Sequence, residues 1–157
     1  MALWTPRKPQ ISRYDKIMAY GLKKNLVGYW PLDESSGPRR DHSGLGHDLT
    51  DHNTVTGNPG PAIVLLPNAS QFTRANSEHL SIADNAALST GSVDWTFACW
   101  FYMDSQPAED MQIACKDSTA SNGREWGLYW KTASNRLLFN TGDIHWSAVQ
   151  GVTSNTF

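Results

Sequence analysis

Carboxylates in reach of one another are the first places to look for catalysis or for a hard cation. In Asp41-His-Ser-Gly-Leu-Gly-His-Asp48, two carboxylates and several backbone carbonyls lie on a Gly-rich loop. That is the flexible, oxygen-rich setting Ca2+ requires, so Asp41 and Asp48 are the candidate metal ligands and Ca2+ the candidate cofactor. The loop has neither the spacing nor the bidentate Glu of an EF-hand. The same residues equally make an Asx turn with Gly at positive φ, a purely structural use. Asp33-Glu34 and Glu109-Asp110 are adjacent pairs, which on strands would face opposite sides; they read as turn and rim carboxylates. Glu125 stands beside Trp126 with no partner evident in the sequence. Cys99 and Cys115 form no Cys-x-x-Cys, and no His sits at ligand spacing, which argues against zinc. They are expected as buried thiols or as one cross-strand disulfide. Gly-x-Ser-x-Gly, His-Glu-x-x-His and the phosphate-loop pattern are all missing, and the chain reads as a non-enzyme.

The 7 Trp residues offer a second chemistry, the stacking of aromatic faces on sugar rings. Trp126, Trp130 and Trp146 lie near loops or on short strand patterns and are the candidate ligand-binding residues, with Asp and Asn side chains to bond hydroxyls. Trp126 and Trp130 also share one strand face with Leu128, and a core role explains them as well. Charge is distributed unevenly. Residues 1–25 carry Arg7, Lys8, Arg13, Lys16, Lys23 and Lys24 against Asp15, a net +5, whereas the rest of the chain sums to −7. Leu3, Trp4, Ile11, Tyr14, Ile17 and Met18 give this segment apolar surface too, so it is expected to be an attachment arm docking on a protein partner. The acidic body would repel phosphate, which argues against nucleic acid. No run of 18 apolar residues is present to span a membrane, and the first residues hold no apolar h-region of a cleaved secretory signal. The expected location is a virion or the extracellular space as part of an assembly, homo- or hetero-oligomeric, and otherwise the cytoplasm.

The elements that would position these groups are strands. Aromatic residues make up 11% of the chain and charged residues only 18%, a balance that suits sheets better than helices. In the arm, Thr5-Pro6 and Lys8-Pro9 favour extended backbone, and Ser12 to Asp15 could cap a short helix running to Tyr20. Leu26 to Leu32 alternates. A polar, Gly-rich stretch from Asp33 to Pro61 predicts a structured loop or short edge strands. Ala62–Leu66 is a short apolar run, Phe72–Ile82 a longer strand pattern, and Asn85–Leu88 a single helical turn. Asp94–Met103 is apolar on both faces, which predicts a central strand covered on both sides. A turn centred on residue 107 would pair it with Met111–Cys115, setting Cys99 opposite Cys115. Trp126–Lys131, Arg136–Asn140 and Ile144–Val149 follow as shorter strands, punctuated by Gly123, Ser134-Asn135 and Gly142-Asp143. The fold class is all-β, an antiparallel β-sandwich of jelly-roll type with an extended or partly helical N-terminal arm.

Four motifs in order carry a resemblance. Leu26-Val-Gly-Tyr-Trp-Pro-Leu-Asp-Glu-Ser-Ser-Gly37 leads into Asp41-His-Ser-Gly-Leu-Gly46. Glu78-His-Leu-Ser-Ile82 is followed by Leu88, then comes Trp95-Thr-Phe-Ala-Cys-Trp-Phe101. Gly127-Leu-Tyr129 with Arg136-Leu-Leu-Phe139 completes the set. Over residues 26–150 the chain resembles a laminin-G-like, pentraxin-like jelly roll of the concanavalin A-like lectin and glucanase superfamily. The arm resembles leaders on such domains in phage-borne and environmental proteins. The resemblance implies an arm over residues 1–25 and a jelly-roll domain over 26–157 that lacks its last strands. It further implies a non-catalytic adhesion module for a glycan or cell-surface ligand, or else a structural or decoration protein of a virion held by its arm. Glucanases of this superfamily place two carboxylates in Glu-x-Asp-x-x-Glu, a spacing missing from this sequence.

Overall fold

The structure, a computed structural model, describes residues 24–59, 68–91, 93–117, 125–141 and 145–148, the last of these by backbone alone. Residues 1–23 of the expected arm and the apolar run Ala62–Leu66 lie outside the described residues. The described chain is β-rich, in small antiparallel sheets, and its helical turns are three-residue 3₁₀ turns. No helix among the described residues is long and apolar enough to cross a membrane. The chain divides into two compact units, residues 1–87 and 88–157.

In the first unit, β1 (Thr50–His52) pairs with β4 (His79–Ser81), and β2 (Thr56–Pro59) pairs with β3 (Asn68–Gln71). These ladders are short because the sequence between them is turn chemistry. Asn53 and Thr54 both adopt positive φ, 63° and 66°, which reverses the chain between β1 and β2. Asp51 pins that reversal: one carboxylate oxygen accepts from the Val55 N–H at 2.8 Å and the other from the Gly37 N–H at 3.1 Å. Gly57 is required by close approach, since a Cβ there would sit 2.9 Å from the Ser35 Cα. The expected strand at Leu26–Leu32 does not form. Leu32 turns into the left-handed region at φ 59° and ends the extended run there. The expected Phe72–Ile82 strand is likewise divided. A 3₁₀ turn, Arg74–Asn76, and Ser77 at φ 53° separate β3 from β4. The expected turn near residue 86 is present as a 3₁₀ turn, Ala86–Leu88.

The second unit holds a four-stranded antiparallel meander in the order β5 (Met111–Lys116), β6 (Trp126–Lys131), β7 (Arg136–Thr141) and β8 (His145–Ala148). Asn135, at φ 52°, closes the β6–β7 turn after the 3₁₀ turn Thr132–Ser134. The register sets Trp126, Leu128 and Trp130 opposite Thr141, Phe139 and Leu137, so these six share one face. A bulge between Gln112 and Ala114 shifts β5 so that Met111, Ala114 and Lys116 all fall opposite that same face.

The segment 94–103 departs from expectation. It joins no ladder among the described residues, and β5 pairs with β6 and not with it. Trp95 lies 5.4 Å from both Trp126 and Phe139, and Phe97 5.1 Å from Trp126, which puts the segment across the face of β6 and β7 rather than along the β5 edge. The 104–110 loop explains why no hairpin forms with β5. The Pro107 carbonyl accepts from the Thr132 hydroxyl at 3.0 Å, Asp110 accepts from the Thr132 N–H at 3.0 Å, and Lys131 bonds Asp110. The loop is thereby tied to the β6–β7 turn, and a tight symmetric turn about residue 107 is lost. Cys99 and Cys115 are exposed and not joined in a disulfide, so they are neither buried thiols nor a cross-strand bridge.

Candidate binding surface

Asp41, the first candidate ligand, is wholly occupied. One oxygen accepts from the Tyr29 N–H at 3.0 Å and the Ser43 N–H at 2.8 Å. The other accepts from the Ser43 hydroxyl at 2.6 Å and the His47 N–H at 3.0 Å. The side chain is 0% exposed. Desolvation pushes its pKa up, but the Ser43, Tyr29 and His47 hydrogen bonds outweigh it and hold the carboxyl at about 2. Asp48 accepts from the Asp41 N–H at 2.8 Å. Around them, the Trp30 indole donates to the His47 carbonyl at 2.7 Å, and His47 Nδ1 donates to the Val27 carbonyl at 2.7 Å. A Ca2+ ion needs oxygen lone pairs turned toward a common centre, and here N–H and O–H donors have taken them. Among the described residues no group of three His, Cys, Asp or Glu side chains could hold a metal ion. The geometry favours the Asx turn.

The loop chain next to it centres on Arg39, which is 0% exposed. Its guanidinium donates to the Val55 carbonyl at 2.8 Å, the Ser70 hydroxyl at 2.8 Å and the Gly37 carbonyl, with Glu34 3.9 Å away. A buried cation is tolerated when its donors are spent in this way. Arginine types read as surface in a sequence, and no pattern singles this one out.

Of the three candidate Trp residues, Trp130 is only 3% exposed, with no hydrogen-bond partner for its indole N–H, and cannot stack on a ligand. Trp126 has Trp95 and Phe97 against it, so its faces serve the core. Trp146 pairs with Asn140 in the β7–β8 register, and its side chain lies outside the described residues. Glu125 does have partners. It accepts from Lys116 at 2.6 Å, from the Ser89 hydroxyl at 3.1 Å and from the Thr90 N–H at 3.0 Å, and the Lys116 bond leads in lowering its pKa. Lys116 also donates to Ser89 at 2.6 Å. The Ser89 hydroxyl therefore receives a hydrogen from the amine, the reverse of what a Ser–Lys nucleophile pair requires.

The residues left open to a ligand are ones the sequence placed inside. Trp100 is 82% exposed and Tyr102 77%. Asp94, Thr96, Ala98 and Asp104 are exposed as well, while Trp95, Phe97 and Met103 are half-buried. The period of 2 was legible; its meaning was not, since Trp95, Phe97 and Met103 are partly covered while Cys99 and Phe101 of the same alternation are exposed. The result is a stripe along a segment that joins no ladder among the described residues, with Trp100 and Tyr102 between Asp94 and Asp104 in sequence.

No family model matches the chain, and neither a curated protein nor a solved structure matches it.

Proposed function

We propose that the chain is a non-catalytic binding module of laminin-G-like, jelly-roll kind that attaches to a protein surface and serves as a component of a larger assembly such as a virion. The observation that carries this reading is the Asp94–Asp104 stripe, with Trp100 82% and Tyr102 77% exposed on a segment that belongs to no ladder among the described residues. Extended backbone outside a ladder retains donors and acceptors that an incoming strand can use, and exposed aromatics beside them supply the apolar part of such a contact. Strand addition thus accounts for both features at once. A second reading, a glycan-binding module, is favoured by the same two rings alone, since flat exposed aromatics also suit sugar faces.

Panning a random peptide library and a glycan array against the full chain in parallel tests the two readings. The expected result is capture of peptides with alternating apolar side chains, abolished by Trp100→Ser. Glycan capture abolished by the same change would replace the first reading with the second. Capture of neither, or capture indifferent to Trp100, overturns both.

A further inference from the structure

We propose that the stripe from Asp94 to Asp104 docks this chain's own basic N-terminal segment, residues 1–24, supplied by a second copy. The inference rests on the protein-surface reading above and names its partner.

Charge selects the occupant. Residues 93–110 contain Asp94, Asp104, Glu109 and Asp110 and no Lys, Arg or His. Lys131 takes Asp110, while Asp94 and Asp104 stand exposed at the two ends of the stripe. A second copy offering the same face would set acid against acid, so symmetric face-to-face pairing is disfavoured. The occupant must be basic, and it must bring apolar surface for Trp100 and Tyr102. Residues 1–24 meet both demands: six Lys and Arg against one Asp, with Leu3, Trp4, Ile11, Tyr14, Ile17 and Met18 among them. Arg and Lys also bind well over bare indole and phenol faces, by cation–π attraction. The Thr5-Pro6 and Lys8-Pro9 steps favour extended backbone, the conformation a strand-like stripe can accept. Because the two surfaces differ, the contact is head-to-tail, and it propagates from copy to copy until it closes into a ring or continues as a filament.

Sedimentation of the full chain with two charge variants tests the proposal. One variant carries Arg13→Glu with Lys16→Glu, the other Asp94→Lys with Asp104→Lys; Asp94 and Asp104 are exposed, and far-UV circular dichroism checks the folding of both variants. The wild type should self-associate and dissociate progressively as salt is raised. Each variant alone should associate about tenfold more weakly, as two lost ion pairs and the new repulsion would produce. An equimolar mixture should associate more strongly than either variant alone, because the intact N-terminal segment of the stripe variant then meets the intact stripe of the other. A monomeric wild type, association indifferent to salt, or a mixture no stronger than its parts overturns the inference. Association that is lost with Trp100→Ser and Tyr102→Ser but unmoved by either charge variant would leave the stripe a protein-binding surface and exclude residues 1–24 as its occupant.

Discussion

The two units hold themselves together by different means. Around Asp41 and Arg39 the first unit is stitched by charge-assisted hydrogen bonds, several of them reaching far in sequence, as from Asp41 to Tyr29 and from Arg39 to Val55 and Ser70. The second is a laddered sheet whose aromatic face is covered by Trp95 and Phe97. A loop-built unit has few ladder bonds, so its backbone groups must be satisfied by side chains, and fully buried Arg39 and Asp41 are the outcome. A laddered unit satisfies its backbone internally and can spare aromatic residues for solvent. The contrast teaches that the polar residues are structural in one region and the apolar ones are available for binding in the other, the opposite of their usual division.

Arg39→Ala should break this picture most severely, if it can be broken. Removing a fully buried guanidinium orphans the Val55 and Gly37 carbonyls and should cost about 3–5 kcal/mol. Hydrogen exchange read residue by residue should show protection lost at Val55 to Asn58 and Ser70. Trp126→Ala should cost about 3 kcal/mol through the cavity left beneath Trp95 and Phe97. Its losses should fall in β5 to β7, and a loss confined to the first unit would contradict the division.

Asp41 supplies the pH dependence. Its folded pKa, about 2, lies below the ordinary value of 3.8. The resulting stabilisation is complete above pH 4 and disappears as pH falls through about 2. That amounts to about 2 kcal/mol for a side chain out of contact with water. Asp41→Asn should flatten the acid limb of the stability profile, and an unchanged acid limb would show that its hydrogen bonds are not net stabilising. Millimolar Ca2+ should leave the melting temperature where it is, whereas a rise removed by Asp41→Ala would reinstate the ion. The smallest effect belongs to Trp100→Ser, expected to change stability by less than about 0.5 kcal/mol because the side chain is 82% exposed.

Most of the second unit is legible in the sequence. Short apolar runs separated by Ser134-Asn135 mark β6 and β7 within one residue of their ends, because Asn accepts the left-handed conformation that this turn needs. The Asx turn of Asp41 is legible for the same reason, its Ser and Gly residues being local signals. What is not legible depends on distant partners. Trp95 to Tyr102 has a clear period of 2, but which side is covered depends on the β6–β7 face and on the tie between Asp110 and Thr132. Arg39, Glu125 and the three-residue β1 carry no local pattern, since most of their partners lie 9 to 36 positions away. Trp126 and Trp130 are the converse case: their sharing of a face was readable, and burial then turned the candidate ligand platform into core.

The packing of Trp95 against Trp126 has an optical consequence. Two indoles held with centroids 5.4 Å apart and planes tilted by 42° exchange excitation strongly. Their ultraviolet transitions split into a pair of opposite rotational sign, and the chain therefore carries its own chiroptical gauge. The amplitude of that couplet reports on the clasp between residues 94–97 and the sheet and on nothing in the first unit, so loosening of this one contact can be followed without any label.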